Sequence, residues 1–277
     1  MVVGHLGNTS FDVLMTCFLK SFENYYVTMP QDPTYYQKRW EAANVDYRLS
    51  YGMFENDQLV GFILHGIDQR WDEKIAYNTG TGVLPEFRGR RIVKAIYETC
   101  LPELRDHQIR KATLEVIKKN HRAIKSYESI GFAICRDYKC FKGEILADAV
   151  FEGSLREVTY TEVDWEALPH QKNYSWDSHK NSIQGGNYRF FIIEKDGVQA
   201  SYFIINWASG YIAQLGCFIE SEYHWALLFA GIKKVSSQVT INNVDERLTK
   251  KIEHIERAGL INTVDQYEME LALQELQ

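Results

Sequence analysis

After the polar triplet Asn8-Thr9-Ser10, the apolar residues Phe11, Leu14, Met15, Phe18, Leu19 and Phe22 recur at helical spacing, which predicts a first helix with a capped start. Beyond Pro30 and Pro33, residues 34–45 read as a second helix. Residues 48–54 and 59–67 read as strands around Glu55-Asn56-Asp57, a hairpin signal. The segment 74–84 is another strand, interrupted by Gly80 and Gly82, and glycine inside a strand marks a bulge or a close approach by a ligand. From Ile92 to Leu104 the helical period returns, and Pro102 should kink or end that helix. Residues 113–117 then read as a strand, 123–130 as a helix and 133–145 as a hairpin-like pair. Helices covering a mixed sheet, an α+β fold, follow from this order.

Residues 148–165 show no sustained period and read as a linker into a second module. Three strands, 188–194, 199–206 and 211–219, follow in a meander with Asp196-Gly197 at one turn. A helical stretch, a short strand at 239–241 and a last helix ending at Ala258 complete a similar order of elements. Glu256-Arg257-Ala258-Gly259-Leu260 echoes Glu128-Ser129-Ile130-Gly131-Phe132, so a duplication with a smaller, degenerate second copy is expected. The expected domains are residues 1–146 and 147–277.

The 277 residues are 45% hydrophobic and 25% charged, ordinary values for a globular chain, and long enough for two domains. A net charge of -6 gives no global basic field, so neither nucleic acid nor an anionic membrane is an expected partner, and any phosphate site must be local. Cys17, Cys100, Cys135, Cys140 and Cys217 are odd in number and scattered, which predicts neither a disulfide framework nor a metal site, and suits a reducing cytoplasm. No apolar run approaches the roughly 18 residues a membrane span needs. The eight histidines form no metal-binding pattern. The six tryptophans, Trp71 among them, follow no stacking motif and are expected in the core or at interfaces.

Against that acidic background, Pro85-Glu86-Phe87-Arg88-Gly89-Arg90-Arg91-Ile92-Val93 joins the glycine-interrupted strand to a helix. Backbone N–H groups at such a turn, with the positive end of the helix, can seat a pyrophosphate, and three arginines add charge-assisted bonds. A solvated basic helix start would look the same. Downstream come Leu114-Glu115-Val116 and then Asn120, Ala123, Tyr127-Glu128 and Gly131-Phe132. The order Pro-x-x-Arg-Gly, helix, Leu-Glu-Val, Asn-x-x-Ala-x-x-x-Tyr-Glu-x-x-Gly-Phe resembles the GNAT superfamily of acetyl-CoA-dependent N-acetyltransferases.

That resemblance implies an acyl-CoA N-acyltransferase fold in which the fourth and fifth strands splay and the pantetheine arm of coenzyme A lies in the wedge. It implies that Val83, Leu84 and the turn Arg88, Gly89, Arg90, Arg91, Ile92 and Val93 hold pantetheine and pyrophosphate, that Asn120 hydrogen-bonds the pantetheine arm, and that Tyr127 lies near the sulfur. A phenol there can protonate the departing thiolate. Tyr127 is the expected acid, against the bland alternative of packing beside Ala123 and Ile130. Glu115 matches the glutamate of the ribosomal-protein alanine N-acetyltransferases, and a partly buried strand carboxylate is an expected base, or else only a structural hydrogen-bonding partner. Where the family places small residues this chain has Arg91 and Val93, which puts coenzyme A affinity and turnover in question.

The expected activity is transfer of the acetyl group of acetyl-CoA, the co-substrate, to a primary amine on a small molecule or peptide, without a metal, by a monomer or homodimer. The competing readings are a non-catalytic acyl-CoA-binding regulatory module and a tandem aminoacyl transferase of the Fem type, which the acidic charge disfavours. In the second module Phe218-Ile219-Glu220-Ser221-Glu222-Tyr223 replaces the basic turn and Ile255 stands opposite Tyr127, so that module is expected to be catalytically silent. Tyr25, Tyr26, Tyr35 and Tyr36 flank the loop that would border the acceptor pocket.

Overall fold

Ser10 accepts a bond from Val13 N (3.4 Å) and starts helix α1 (Phe11–Ser21), whose Leu14, Met15, Cys17 and Phe18 are buried. Asp32 caps α2 (Pro33–Ala42), and Tyr36 and Trp40 of that helix meet Phe18 at ring separations of 4.5 and 5.5 Å. Asn56 (φ 47°) and Asp57 (φ 63°) turn β2 (Tyr51–Glu55) into β3 (Gln58–Arg70), and β4 (Glu73–Val83) returns antiparallel to β3. Asparagine and aspartate tolerate two successive left-handed residues, which is what a tight hairpin needs. In the computed structural model, residues 1–23, 25–70, 72–146 and 150–273 are described.

Alternation on β3 assigns the faces. A Cβ on Gly61 would meet Ile92 of α3 (Ile92–Asp106) at 2.9 Å, while the next residue, Phe62, stacks on Phe18 of α1. Helices thus cover both sides of the first sheet. Helix α3 runs through Pro102 to Asp106 instead of ending there. One lost N–H bond is outweighed by fully buried Cys100 and Leu104 on either side of the proline.

After β5 (Lys111–Ile117) and α4 (His121–Glu128), residues 133–145 form one long strand, β6 (Ala133–Glu144), where a hairpin was expected. The polar pair Arg136-Asp137 sits within the strand, and β11 (Gln238–Asp245) pairs with β6 antiparallel. The expected linker contains a further strand, β7 (Ser154–Val158), paired along its length with β8 (Arg189–Lys195). Strands β9 (Val198–Asn206) and β10 (Tyr211–Cys217), helices α5 (Lys180–Gln184), α6 (Glu222–Val235) and α7 (Thr249–Arg257) and a final strand β12 (Ile261–Ala272) complete the chain. A short first strand, β1 (Val2–His5), pairs with β2.

Two compact units result: unit 1 is Met1–Cys135 with Tyr267–Gln277, in two segments, and unit 2 is the continuous segment Arg136–Gln266. The expected boundary at 146/147 abuts Ala147–Ala149, which lie outside the described residues, as does Trp71. In unit 1 the strands run β1-β2-β3-β4-β5, followed by the second half of β12. Met269 (0% exposed) and Leu273 of the C-terminal segment belong to the unit 1 core, Arg105 Nε donates to Leu273 O (2.9 Å), and Leu273 N to Arg110 O (2.8 Å). In unit 2 the order is β7-β8-β9-β10-β11-β6, then the first half of β12. Each unit has three successive antiparallel pairs and then a parallel one, β4 with β5 and β10 with β11, so the topology of unit 1 recurs in unit 2. No helix among the described residues is long and apolar enough to cross a membrane.

Candidate active site

Strands β4 and β5 are paired only from Ile75↔Lys111 to Asn78↔Leu114, and beyond that point both continue without bonding to each other. The register of β4 against β3 jumps between Leu64↔Gly80 and His65↔Asn78, which leaves Thr79 as a bulged residue at the split. A bulge twists and bends its strand. Here it turns β4 away from β5, and the wedge expected from Gly80 and Gly82 is present. The Thr79 hydroxyl is buried there without a hydrogen-bond partner among the described residues.

Polar side chains converge on this split. Asn78 Nδ2 donates to Thr81 Oγ1 (2.6 Å) and to the Tyr97 hydroxyl (2.9 Å), and its Oδ1 accepts from Gly80 N (3.1 Å). Tyr127, on α4, is buried, and its ring meets Phe132 edge-on at 5.8 Å. Burial pushes its phenol up to about 12, opposed by hydrogen bonding from Thr81 and Asn78, while the nearby Tyr25 adds to the rise. Tyr25 is itself raised, chiefly by burial and against a hydrogen bond from Asn120. Asn120 caps α4, its Oδ1 accepting from Ala123 N (3.2 Å), so its amide N–H₂ is the part turned to other partners. Tyr25, Asn78, Thr81, Tyr97, Asn120 and Tyr127 therefore form one cluster. Glu115 is the first residue of β5 past the last pair with β4; its side chain is half-buried, with Oε1 fully so.

The basic turn is built differently from its outline in the sequence. Leu84 N is bonded to Val60 O (2.9 Å) and Val83 pairs with Gly61, so both residues are anchored to β3. Arg88 donates to Val83 O (3.2 Å) and Ser21 O (2.9 Å), tying the end of β4 to the end of α1. Arg90 lies over the Phe87 ring at 4.8 Å and reaches Glu86 O. Gly89 (φ 79°) and Arg91 (φ 58°) are both left-handed, and a Cβ on Gly89 would meet nothing within 4 Å. Arg91 is exposed at the N-cap of α3 and makes no side-chain cap, so the first N–H groups of that helix face outward for an anion. Ile92 is buried in the core and Val93 packs against it, so these two offer a ligand their backbone only. A splayed pair of strands ending at an uncapped helix start with exposed arginines is a seat that fits a pantetheine and pyrophosphate.

The family model described as Acetyltransferase (GNAT) family matches residues 12–132. Over those residues the chain is similar to the GNAT acetyltransferases. Every member of the polar cluster lies inside the matched segment, and acyl transfer is the chemistry that family supports. Solved structures share the fold of the whole chain. A GCN5-related N-acetyltransferase from Sphaerobacter thermophilus is 13% identical with a TM-score of 0.69, covering 99% of this chain and 96% of that one. A tandem GNAT protein from the clavulanic acid biosynthesis pathway is 13% identical with a TM-score of 0.66, covering 100% and 99%. A GCN5-related N-acetyltransferase from Anabaena variabilis is 13% identical with a TM-score of 0.65, covering 99% and 73%. At these identities the likeness is one of fold. No curated protein sequence matches the chain.

Superposing the bulges extends the comparison to unit 2. There the register of β10 against β9 jumps between Ile212 and Gln214, so Ala213 takes the place of Thr79. Tyr77-Asn78-Thr79-Gly80-Thr81-Gly82 then aligns with Tyr211-Ile212-Ala213-Gln214-Leu215-Gly216. The parallel pairs Tyr77↔Thr113 and Tyr211↔Thr240 place Asn242 opposite Glu115. At the helix ends, Phe132 N bonds Tyr127 O (3.1 Å) as Leu260 N bonds Ile255 O (3.3 Å). Four polar positions of the cluster are changed: Asn78 to Ile212, Thr81 to Leu215, Asn120 to Leu248, Tyr127 to Ile255. The space is also filled from within, because the Tyr174 hydroxyl donates to Leu215 O (2.9 Å) and accepts from Leu215 N (3.3 Å) and Lys251 Nζ (3.3 Å). Asn78 and Thr81 carried no sequence motif; the glycines around them were the available signal.

Proposed function

We propose that unit 1 is an N-acetyltransferase that transfers the acetyl group of acetyl-CoA to a primary amine, and that unit 2 is catalytically silent. The observation that carries this reading is the parting of β4 and β5 at Asn78/Leu114 with a buried phenol beside it. When bound, acetyl-CoA supplies an activated thioester. The α3 N-terminus, with Arg90 and Arg91, holds the pyrophosphate, and Asn120 uses its amide N–H₂ for the pantetheine arm. Tyr127, protonated throughout the working pH range because burial raises its pKa, gives a proton to the departing thiolate. Glu115, at the mouth of the split, takes the proton that the acceptor ammonium must lose, directly or through water. Tyr25, on the loop after α1, closes the acceptor side. The apolar replacements and the Tyr174 plug support silence in unit 2.

One arrangement favours the alternative of a non-catalytic acyl-CoA-binding module: Arg88 is spent on backbone carbonyls and Arg91 holds a strained conformation, so the phosphate seat is less furnished than its sequence suggests. Calorimetry with acetyl-CoA alongside thiol release over an amine panel separates the two. Binding without thiol release for any amine supports the module. For the base, Glu115→Gln should flatten the acidic limb of the pH–rate profile, and an unshifted profile removes Glu115 from that role.

A further inference from the structure

Lysine is rarely buried unless its charge is paired. Lys251, in the first turn of α7, is 3% exposed, and its counterpart at the start of α4 is Ala123. Its Nζ donates to the Tyr174 hydroxyl (3.3 Å) and lies 5.0 Å from the centre of that ring. The hydroxyl is crowded. Leu215 O (2.9 Å), the Tyr202 hydroxyl (2.9 Å), Leu215 N (3.3 Å) and Lys251 Nζ compete for one proton and two lone pairs, so one of the four contacts always goes unmade. Lys251 brings three N–H groups and a full charge, and this shared neutral oxygen is its one hydrogen-bond acceptor among the described residues.

Two acids of the unit that could balance the charge are committed elsewhere. Asp245 accepts from Arg247 Nε (2.8 Å) and Asn173 Nδ2 (3.0 Å), while Glu220 accepts from the Trp225 indole (2.7 Å) and lies 3.8 Å from His170 Nε2. Among the described residues Lys251 forms no ion pair. Its charge adds to burial in holding the His170 imidazole below its usual range. Leu248 gives α7 no side-chain cap, so the positive end of the helix dipole lies within a turn of the same ammonium. A charge taken out of water is tolerated where a counter-charge meets it.

We propose that Lys251 marks an anion site in unit 2, where a small oxyanion, a carboxylate or a phosphate, accepts from the two Lys251 N–H groups that Tyr174 leaves free. The site is separate from acyl transfer: it uses neither the split of unit 1 nor Tyr127, and it suits a unit that turns nothing over. Tyr174 already occupies the parting of β10 and β11 beside Leu215, so a chain as long as pantetheine is excluded and a small ligand is selected. The anion stabilises the contact that joins α7, through Lys251 and Tyr174, to Leu215 on β10.

Hydrogen exchange of the full chain, read by mass spectrometry on peptides spanning 211–217 and 249–257, reports on this site apart from the phosphate turn of unit 1. Sodium acetate and inorganic phosphate are each titrated against sodium chloride at constant ionic strength. A ligand of the folded state slows exchange through opening by the factor 1 + [L]/Kd, so both peptides should slow at least about three-fold by about 50 mM of the preferred anion. The anion that acts at the lower concentration identifies the ligand as carboxylate or phosphate. Lys251→Met, which keeps the apolar stem and removes the charge, should abolish the slowing; Lys251→Gln serves if the methionine variant misfolds. Lys251→Arg should retain it. Exchange in the parent that is the same in acetate, phosphate and chloride overturns the proposal, as does equal slowing in the parent and in a folded Lys251→Met or Lys251→Gln variant.

Discussion

Replacing Arg91 by glycine separates backbone strain from charge at the phosphate turn. Arg91 holds φ 58°, ψ 26° at the start of α3, with no side-chain cap in return. An L-residue in the left-handed region costs roughly 1–2 kcal/mol, whereas glycine gives the unfolded chain about 0.5–1 kcal/mol more entropy to lose. The difference makes Arg91→Gly about 0.5–1 kcal/mol more stable, a melting rise of roughly 2–4 °C for a unit of this size. Arg91→Ala keeps the strain and loses the charge, so its melting temperature should stay near that of the parent. Calorimetric titration with coenzyme A reads the other term. A charge-assisted contact to phosphate is worth about 1.5–3 kcal/mol, so Arg91→Ala should weaken binding at least ten-fold. Arg91→Gly should recover part of that loss as backbone N–H groups approach the anion. Differential scanning calorimetry of the three proteins decides the matter: Arg91→Gly melting at or below Arg91→Ala would refute the strain argument.

Two further outcomes follow from the packing of unit 1. Deleting residues 267–277 removes buried Met269 and Leu273 from its core, a loss of roughly 3–6 kcal/mol at about 1.5–3 kcal/mol per side chain, read as faster hydrogen exchange along β5; unchanged protection there would show that unit 1 closes without this segment. His65 is fully buried, with Nδ1 on Leu49 O (2.7 Å), and burial lowers its pKa from 6.5 to about 4. The unfolded chain therefore binds the extra proton first, so stability is complete above pH 6.5 and falls as the pH drops toward 4, by roughly 3 kcal/mol at most. Urea denaturation at a series of pH values should show that slope in the parent and a flatter one in His65→Asn.

The parts of this fold that are legible in the sequence are those set by neighbours along the chain. Ser10 and Asn120 cap helices within three residues of themselves, and Gly80 and Gly82 lie in sequence just past the bulged Thr79 that marks the split. The spacing from Asn120 to Phe132 is legible for the same reason: one helix and its terminating bond, Phe132 N to Tyr127 O, carry it. Long-range pairing leaves no such mark. Strand β6 runs unbroken through the polar Arg136-Asp137 because partners distant in sequence, β11 among them, pair with it. The share of β12 that belongs to unit 1 depends on Met269 and Leu273 finding a core laid down by residues more than a hundred positions earlier. Asn78 and Thr81 went unread because an odd separation on a strand argues against contact, and only the bulge reverses it. The arginines misled in another way, since composition reports charge and not what the charge is spent on, and Arg88 is spent on Val83 O and Ser21 O.

The claim that the split beside Tyr127 is an acyl-transfer site is tested most directly by thiol release from acetyl-CoA over a broad panel of primary amines, with the parent and Tyr127→Phe compared at matched coenzyme A saturation. General acid catalysis contributes about a hundred- to ten-thousand-fold, so the phenylalanine variant should bind coenzyme A as the parent does and turn over at least a hundred-fold more slowly. Turnover by Tyr127→Phe at the parent rate would contradict it.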